Sequence, residues 1–290
     1  MTQPRRVLPN RTYLITRRCS ERRFFLRPDP QVTWIFEYLL AHACERHGIE
    51  LHGFVCMSNH YHLVVTDHEA RLPEFQQYLN SLLARAVNCA RGRWEAFWTR
   101  DSYNAVELLD DTVVLEKLAY TLLNPVRAGL VGRASQWGGA TSATMRFGGR
   151  RLIARPSEFF SEDMPEHVRL ELVAPPLPGG HDLDEQLAER IEAVEQQLRK
   201  TGAKPLGMAT VLRRHWNESP ATREPRRGLV PRLAACCAAV RIAAIVELER
   251  WVEAYRSVLA CFKDDGQREV EWPPGTYRMC SRLGCPAAAA

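Results

Sequence analysis

Two histidines separated by one residue, His60 and His62, open a run of mostly β-branched and apolar side chains in Met57-Ser58-Asn59-His60-Tyr61-His62-Leu63-Val64-Val65. Successive residues of a strand point to opposite faces, so both imidazoles project from one face and Tyr61 from the other. Two nitrogen donors on one face can hold a single metal ion. Further along, Tyr120 and Asn124 are four residues apart, which on a helix stacks a phenol and an amide oxygen on one side. The apolar stripe of that helix is Leu115, Leu118, Ala119 and Leu122, and Tyr120 falls well round toward the opposite side, beside Lys117. A phenol off the packing stripe is placed to act as a nucleophile, and the amide to add a metal ligand. Each feature alone also has an ordinary reading: paired strand histidines are more often surface or hydrogen-bonded core groups, and half-exposed tyrosines are common on helices.

The charge distribution supplies a partner for such chemistry. The chain has 290 residues and a formal charge of +5; residues 1–150 hold 19 basic and 14 acidic side chains, while residues 151–290 hold 20 of each. Within the first stretch Arg5, Arg6, Arg11, Arg17, Arg18, Arg22 and Arg23 face one acid, Glu21. Guanidinium forks pair with phosphate oxygens and release counterions, so a polyanion suits this segment; a solvated arginine-rich edge is the alternative. The segment Arg91-Gly92-Arg93-Trp94-Glu95-Ala96-Phe97-Trp98-Thr99-Arg100 interleaves arginines with aromatics. It suits holding a nucleic-acid backbone while stacking unpaired bases on Trp94 and Trp98, or else its aromatics cover the core. A basic loop with Arg223, Arg226, Arg227 and Arg232 offers further phosphate contacts. The other histidines, His42, His47, His52, His68, His167, His181 and His215, lack matching spacing and are assigned structural or solvent roles.

The elements that must position these groups follow from periodicity. A strand over 12–16 precedes a helix over 32–47, strands over 50–57 and 60–66 joined by a two-residue turn, a helix over 72–90 and a strand over 103–109. Asp110 or Asp111 then caps a helix that runs to Asn124, before Pro125. The order βαββαβ with an added helix predicts an α+β fold, a ferredoxin-like antiparallel sheet with helices, in residues 1–150. Residues 151–180 form a connecting segment ending in a Pro/Gly-rich linker, and 181–290 a mainly helical extension. Its stripes, Leu183-Leu187-Ile191-Val194-Leu198 and Ile245-Leu248-Val252-Tyr255-Leu259-Phe262, should pack together or on the first part. Residues 272–277, Trp-Pro-Pro-Gly-Thr-Tyr, read as a turn closing the second region onto the rest.

With 46% hydrophobic and 25% charged residues, disordered, fibrous and membrane-spanning classes are set aside. The longest run of small apolar residues, Leu233 to Val240, is too short for a bilayer and ends at Arg241. Nothing resembles a signal peptide, so a cytoplasmic location is expected, and the nine cysteines, an odd number, read as reduced thiols. Cys280 and Cys285 lack nearby companions for a zinc site.

Met57-Ser58-Asn59-His60-Tyr61-His62, followed by Tyr120-Thr121-Leu122-Leu123-Asn124-Pro125-Val126-Arg127-Ala128-Gly129-Leu130-Val131, resembles the HUH single-tyrosine transposases, in particular the REP-associated tyrosine transposases of bacteria. The resemblance runs to just past Trp137 and implies the HUH version of the ferredoxin-like fold. It implies that His60 and His62 hold a divalent metal, Mg²⁺ or Mn²⁺, that Asn124 completes the site, and that Tyr120 attacks a phosphodiester to give a 5′-phosphotyrosine and a free 3′-hydroxyl. It further implies single-stranded or hairpin DNA as substrate, with Arg127 of the second motif among the DNA contacts, and no membrane partner. One departure stands out: Gly138-Gly139-Ala140 follows Trp137 where the family carries Pro and Ser. Two rivals remain, a non-catalytic DNA-binding regulator and a metal-dependent phosphoesterase that uses water. One nucleophile per chain lets two cuts come from a homodimer or from a monomer acting twice.

Overall fold

Strand β1 (Arg11–Arg18) is central in a five-stranded sheet because it is apolar on both sides: Tyr13 and Ile15 point to one face and Leu14 to the other, all buried. The computed structural model describes residues 4–100, 103–177, 182–222, 231–265 and 270–288. Helix α1 (Pro30–His47) starts where the Asp29 carboxylate accepts the Val32 N–H at 3.0 Å and ends at Gly48, whose φ of 62° favours glycine. Strands β2 (Ile49–Met57) and β3 (His60–Asp67) form the expected hairpin about Ser58 and Asn59. Helix α2 (Leu72–Ala90), strand β4 (Asn104–Leu108), helix α3 (Asp111–Leu122) and the single turn α4 (Asn124–Arg127) follow. Asp110 caps α3 by accepting the Val113 N–H at 2.8 Å.

The sheet order β2-β3-β1-β4, antiparallel throughout, is that of the predicted α+β ferredoxin-like fold. Tyr13, Ile15, Tyr61, Leu63 and Val65 share a core with α1 and α2, whereas Leu14, Val64, Val106 and Leu108 share a second core with α3. Helix α5 (Leu183–Lys200) lies on α3, and its stripe of Leu187, Ile191, Val194 and Leu198 joins that second core. The first stripe therefore packs on the sheet domain.

Two pairings lie beyond what the sequence reading anticipated. Strands β5 (Arg150–Ala154) and β6 (His167–Glu171) form an antiparallel pair against α1, with Ile153, Val168 and Leu170 in the first core. Beyond the short helix α6 (Met208–Arg213), strand β7 (Leu233–Ala234) joins the sheet parallel to β4, and a two-residue strand is too short to show a period. Helix α7 (Ala238–Asp265) follows, and its Tyr255, Val258, Leu259 and Phe262 gather round the fully buried Trp272. The turn after Trp272 does close onto the rest: Gly275 has φ of 82°, its carbonyl accepts the Val7 N–H at 2.9 Å, and a Cβ there would sit 2.9 Å from Arg6 Cγ. Arg223, Arg226 and Arg227, with His181 and the end of the Pro/Gly-rich linker, lie outside the described residues. All nine cysteines are free thiols, and among the described residues no helix is long and apolar enough to cross a membrane.

Candidate active site

The face of β3 that carries His60 and His62 is the face that α3 covers. Between Leu51 and Gly53 strand β2 holds one extra residue, His52, in a bulge that turns Gly53 toward α3. A Cβ at Gly53 would lie 2.8 Å from Leu118 Cδ2, so the helix is seated directly on the sheet. Leu118, fully buried, anchors α3 there, and two residues later Tyr120 stands over His62 with ring centroids 5.4 Å apart. The His60 and His62 rings are 4.9 Å apart and near perpendicular. Asn124, at the start of α4, lies beside His60 and favours its protonated form. The four residues singled out in sequence therefore meet at one place. Tyr61 points the other way, its hydroxyl held between Asn80 Oδ1 at 2.8 Å and Gln76 Oε1 at 3.1 Å in the first core.

Two residues that sequence reasoning missed orient the imidazoles. Asn59 Nδ2 donates to the Arg22 carbonyl at 3.0 Å, which turns Asn59 Oδ1 toward His60 Nδ1 at 2.7 Å. An amide oxygen only accepts, so His60 carries its proton on Nδ1 and its lone pair on Nε2. On β1, Thr16 lies directly opposite His62, with Oγ1 2.8 Å from His62 Nδ1. Asn59 is visible in sequence as the neighbour of His60, but Thr16 can be found only from the strand register. Burial, with the Arg18 charge next, pushes the His60 pKa down to about 4. Burial, then His60 and Arg18, pushes His62 well below the ordinary histidine range. Both rings are thus neutral at neutral pH, with lone pairs available to a ligand.

Cations stand over the phenol as well: Lys117 Nζ is 5.9 Å and Arg127 Cζ 6.0 Å from the Tyr120 ring centroid. They are placed to neutralise an anion brought to the hydroxyl. Among the described residues no group of three His, Cys, Asp or Glu side chains converges, so two imidazoles and the Asn124 amide make up the donor set here. Imidazole with an amide oxygen suits a first-row divalent ion such as Mn²⁺ better than Mg²⁺, which prefers oxygen throughout.

Similarity to known proteins lies in structure. Superposition finds a REP-associated tyrosine transposase bound to a REP hairpin, at 17% identity and a TM-score of 0.39 over 49% of this chain and 82% of that one. It also finds a Deinococcus radiodurans R1 protein classed as a transposase, at 19% identity and a TM-score of 0.31 over 40% of this chain and 93% of that one. No family model matches the chain, and no curated protein matches it.

The DNA-contact candidates do not form one patch. Strand β1 separates Arg11 from Arg18 by about 23 Å at strand rise, and the arginines divide accordingly. At the far end Arg5 stacks on Tyr103 at 4.0 Å, Arg6 pairs with Glu247 at 2.6 Å, and Arg11 pairs with Glu107 at 3.4 Å. At the histidine end are Arg17, over the Trp98 ring at 5.4 Å; Arg18, opposite His60 in register; and Arg22 and Arg23, bonded to Thr222 and Asn217. Arg91 is buried against Asp29, the cap of α1, and Arg93 covers Phe25 at 3.9 Å. Trp98 is half-buried with its indole N–H on the Asn80 carbonyl, and Phe97 is buried, whereas Trp94 is 89% exposed. Phe97 and Trp98 thus cover the core, and Trp94 alone of the segment's three aromatics stands clear of it. Arg232 donates to the Pro4 carbonyl at the far end. The departure after Trp137 has a steric reason: a Cβ at Gly139 would lie 2.6 Å from Pro28 Cβ and 2.8 Å from the Trp137 indole nitrogen, which itself donates to the Cys56 carbonyl at 3.0 Å.

Proposed function

We propose that the chain is a divalent-metal-dependent endonuclease and strand transferase of transposase type. It acts in the cytoplasm on single-stranded, hairpin-bearing DNA through a 5′-phosphotyrosine on Tyr120. The observation that carries this reading is the Tyr120 ring 5.4 Å from His62, which in turn lies 4.9 Å from His60, with Asn124 beside His60.

The side chains divide the work. His60, His62 and Asn124 would hold the ion; Asn59, by fixing the proton on His60 Nδ1, leaves Nε2 as a donor, so the site fits such an ion. When bound, a divalent cation supplies Lewis-acid neutralisation of the non-bridging phosphate oxygens. Lys117 and Arg127 add positive charge near the phenol. Tyr120 Oη attacks phosphorus in line; the new O–P bond forms as the bond to the 3′-oxygen breaks, the phenolic proton goes to water, and the departing oxygen takes up a proton as a 3′-hydroxyl. The phosphodiester bond energy stays in the phosphotyrosine, so another 3′-hydroxyl can complete strand transfer without a nucleotide cofactor.

The test is to mix the full-length protein with end-labelled hairpin oligonucleotides bearing single-stranded flanks and Mn²⁺, and to look for a denaturation-resistant protein–DNA product. Adduct with the parent and none with Tyr120→Phe is the expected result. Cleavage that persists undiminished in Tyr120→Phe assigns the nucleophile to water and overturns the proposal. DNA binding with no cleavage under any divalent ion points instead to the non-catalytic regulator.

A further inference from the structure

A cavity of about 430 Å³ opens beside His60, with Asn59 and His60 on its lining, and half of its wall comes from the C-terminal extension. Met57 and Leu130 line it from the sheet domain; Leu206 and Val211 face them from the extension. The extension is fastened in place from several sides. The Leu206 and Gly207 N–H groups donate to the Gly129 and Leu130 carbonyls at 2.8 and 2.9 Å, and the Phe24 N–H donates to the Glu218 carbonyl at 2.8 Å. Arg27 reaches the Arg214 carbonyl at 3.1 Å, and the Trp216 ring lies 6.2 Å from Phe25. Residues 206–222 are therefore a built wall of the site.

The lining is mostly apolar and includes Arg22 and Arg214 but no carboxylate. Arg214 shares its charge with Glu218 at 3.4 Å. Arg22 donates to the carbonyl and hydroxyl of Thr222, both neutral, and so keeps its positive charge at the pocket. An apolar chamber of this size with a guanidinium beside it matches a flat aromatic group joined to an anion. A stacked base pair does not fit such a chamber, but one base taken out of a strand does.

We infer that this cavity receives an unpaired nucleobase of the nucleotide next to the scissile phosphodiester, with that nucleotide's phosphate on Arg22, so that residues 206–222 select the base at the cut. The inference rests on the phosphodiester-cleaving reading above and extends it to sequence preference. Leu206, 46% exposed, stands where a larger side chain fills the chamber without entering the core.

Two measurements on the full-length protein decide it. In the first, single-stranded oligonucleotides with a randomised internal segment are incubated with Mn²⁺, and the covalently captured ends are sequenced for the parent and for Leu206→Trp. The parent should favour one or two bases at least tenfold at a position flanking the cut, and the variant should flatten that position at least fivefold while leaving the others unchanged. Preference is read among captured molecules and is independent of total yield. An identical profile in parent and variant overturns the inference. The second measurement needs no catalysis: Tyr120→Phe protein is photocrosslinked to single-stranded oligonucleotides carrying 5-iodouracil at successive positions. Crosslinks from one position to peptides containing Phe24, Met57 or residues 206–222 support the pocket. Crosslinks confined to other surfaces overturn it, also where the parent forms no adduct and the catalytic reading itself has failed.

Discussion

Replacing Thr16 with valine keeps shape and removes the hydroxyl that lies 2.8 Å from His62 Nδ1. For His62 to offer Nε2 to an ion, its proton must sit on Nδ1 and be accepted by Thr16. In the variant the metal-free ring can move that proton to Nε2, whereas the metal-bound ring must keep an N–H on Nδ1 with no acceptor in a site where His62 is 5% exposed. The penalty therefore falls on the bound state. Leaving a buried donor unpaired costs about 1–3 kcal/mol, which at ~1.4 kcal/mol per decade weakens binding roughly 5- to 150-fold; losing an outer partner of a metal-ligating histidine costs about 10–100-fold in metal affinity. Mn²⁺ affinity by calorimetry should fall within that range in Thr16→Val and recover in Thr16→Ser, and adduct lost at limiting Mn²⁺ should return at saturation. Unchanged Mn²⁺ affinity in Thr16→Val, or adduct that no Mn²⁺ concentration restores, refutes the assignment of Thr16 as the group that orients His62.

Gly53→Ala drives a methyl into Leu118 at 2.8 Å, lifts α3 and Tyr120 from the sheet, and should cost about 1–3 kcal/mol by urea unfolding together with adduct yield; a neutral substitution would mean that α3 is loosely seated. Arg91→Ala removes one of two guanidinium partners from the half-buried Asp29 carboxylate, which keeps Arg27 and the Val32 N–H, and should lower stability by about 1–3 kcal/mol, whereas Arg127→Ala should leave the urea midpoint unchanged and reduce the salt slope of DNA binding; the reverse pattern would exchange their roles. Burial lowers the pKa of His42, His47 and His52 in the folded chain, so the unfolded chain binds more protons below their ordinary value of ~6.5 and stability should fall as pH drops through that value. A urea midpoint that stays flat from about pH 7.5 to 5.5 would contradict that sign.

The ferredoxin-like core was legible because its signals are local. Alternation in β1 and β3, the Asp29 and Asp110 caps, and the Ser58-Asn59 turn are each written within a few residues, and the hydrogen bonds of the caps and the register of the hairpin follow them. The same holds for the pairing of His60 with His62, which alternation alone puts on one face. Strand β6, His167-Val168-Arg169-Leu170-Glu171, alternates too, but over five residues within the connecting segment nothing local marks its partner β5. Strand β7 offers only Leu233-Ala234 and becomes a strand because the free edge of β4 takes it.

Other features lay outside any local signal. The arginine-rich start looks like one basic patch as a string of letters, yet an extended strand carries its two ends to opposite ends of the sheet. Thr16 becomes a partner of His62 through pairing across strands far apart in the chain. The extension, readable from its periodicity only as helical, acquires its place at the site through backbone hydrogen bonds donated by Leu206 and Gly207 and one accepted by Glu218. Residue type and short-range spacing thus determined which groups can do chemistry and which face each takes. Only tertiary contact, governed by strand register and by which unsatisfied edge or wall finds a partner, decided that a phenol stands over an imidazole and that residues 206–222 wall a cavity beside His60.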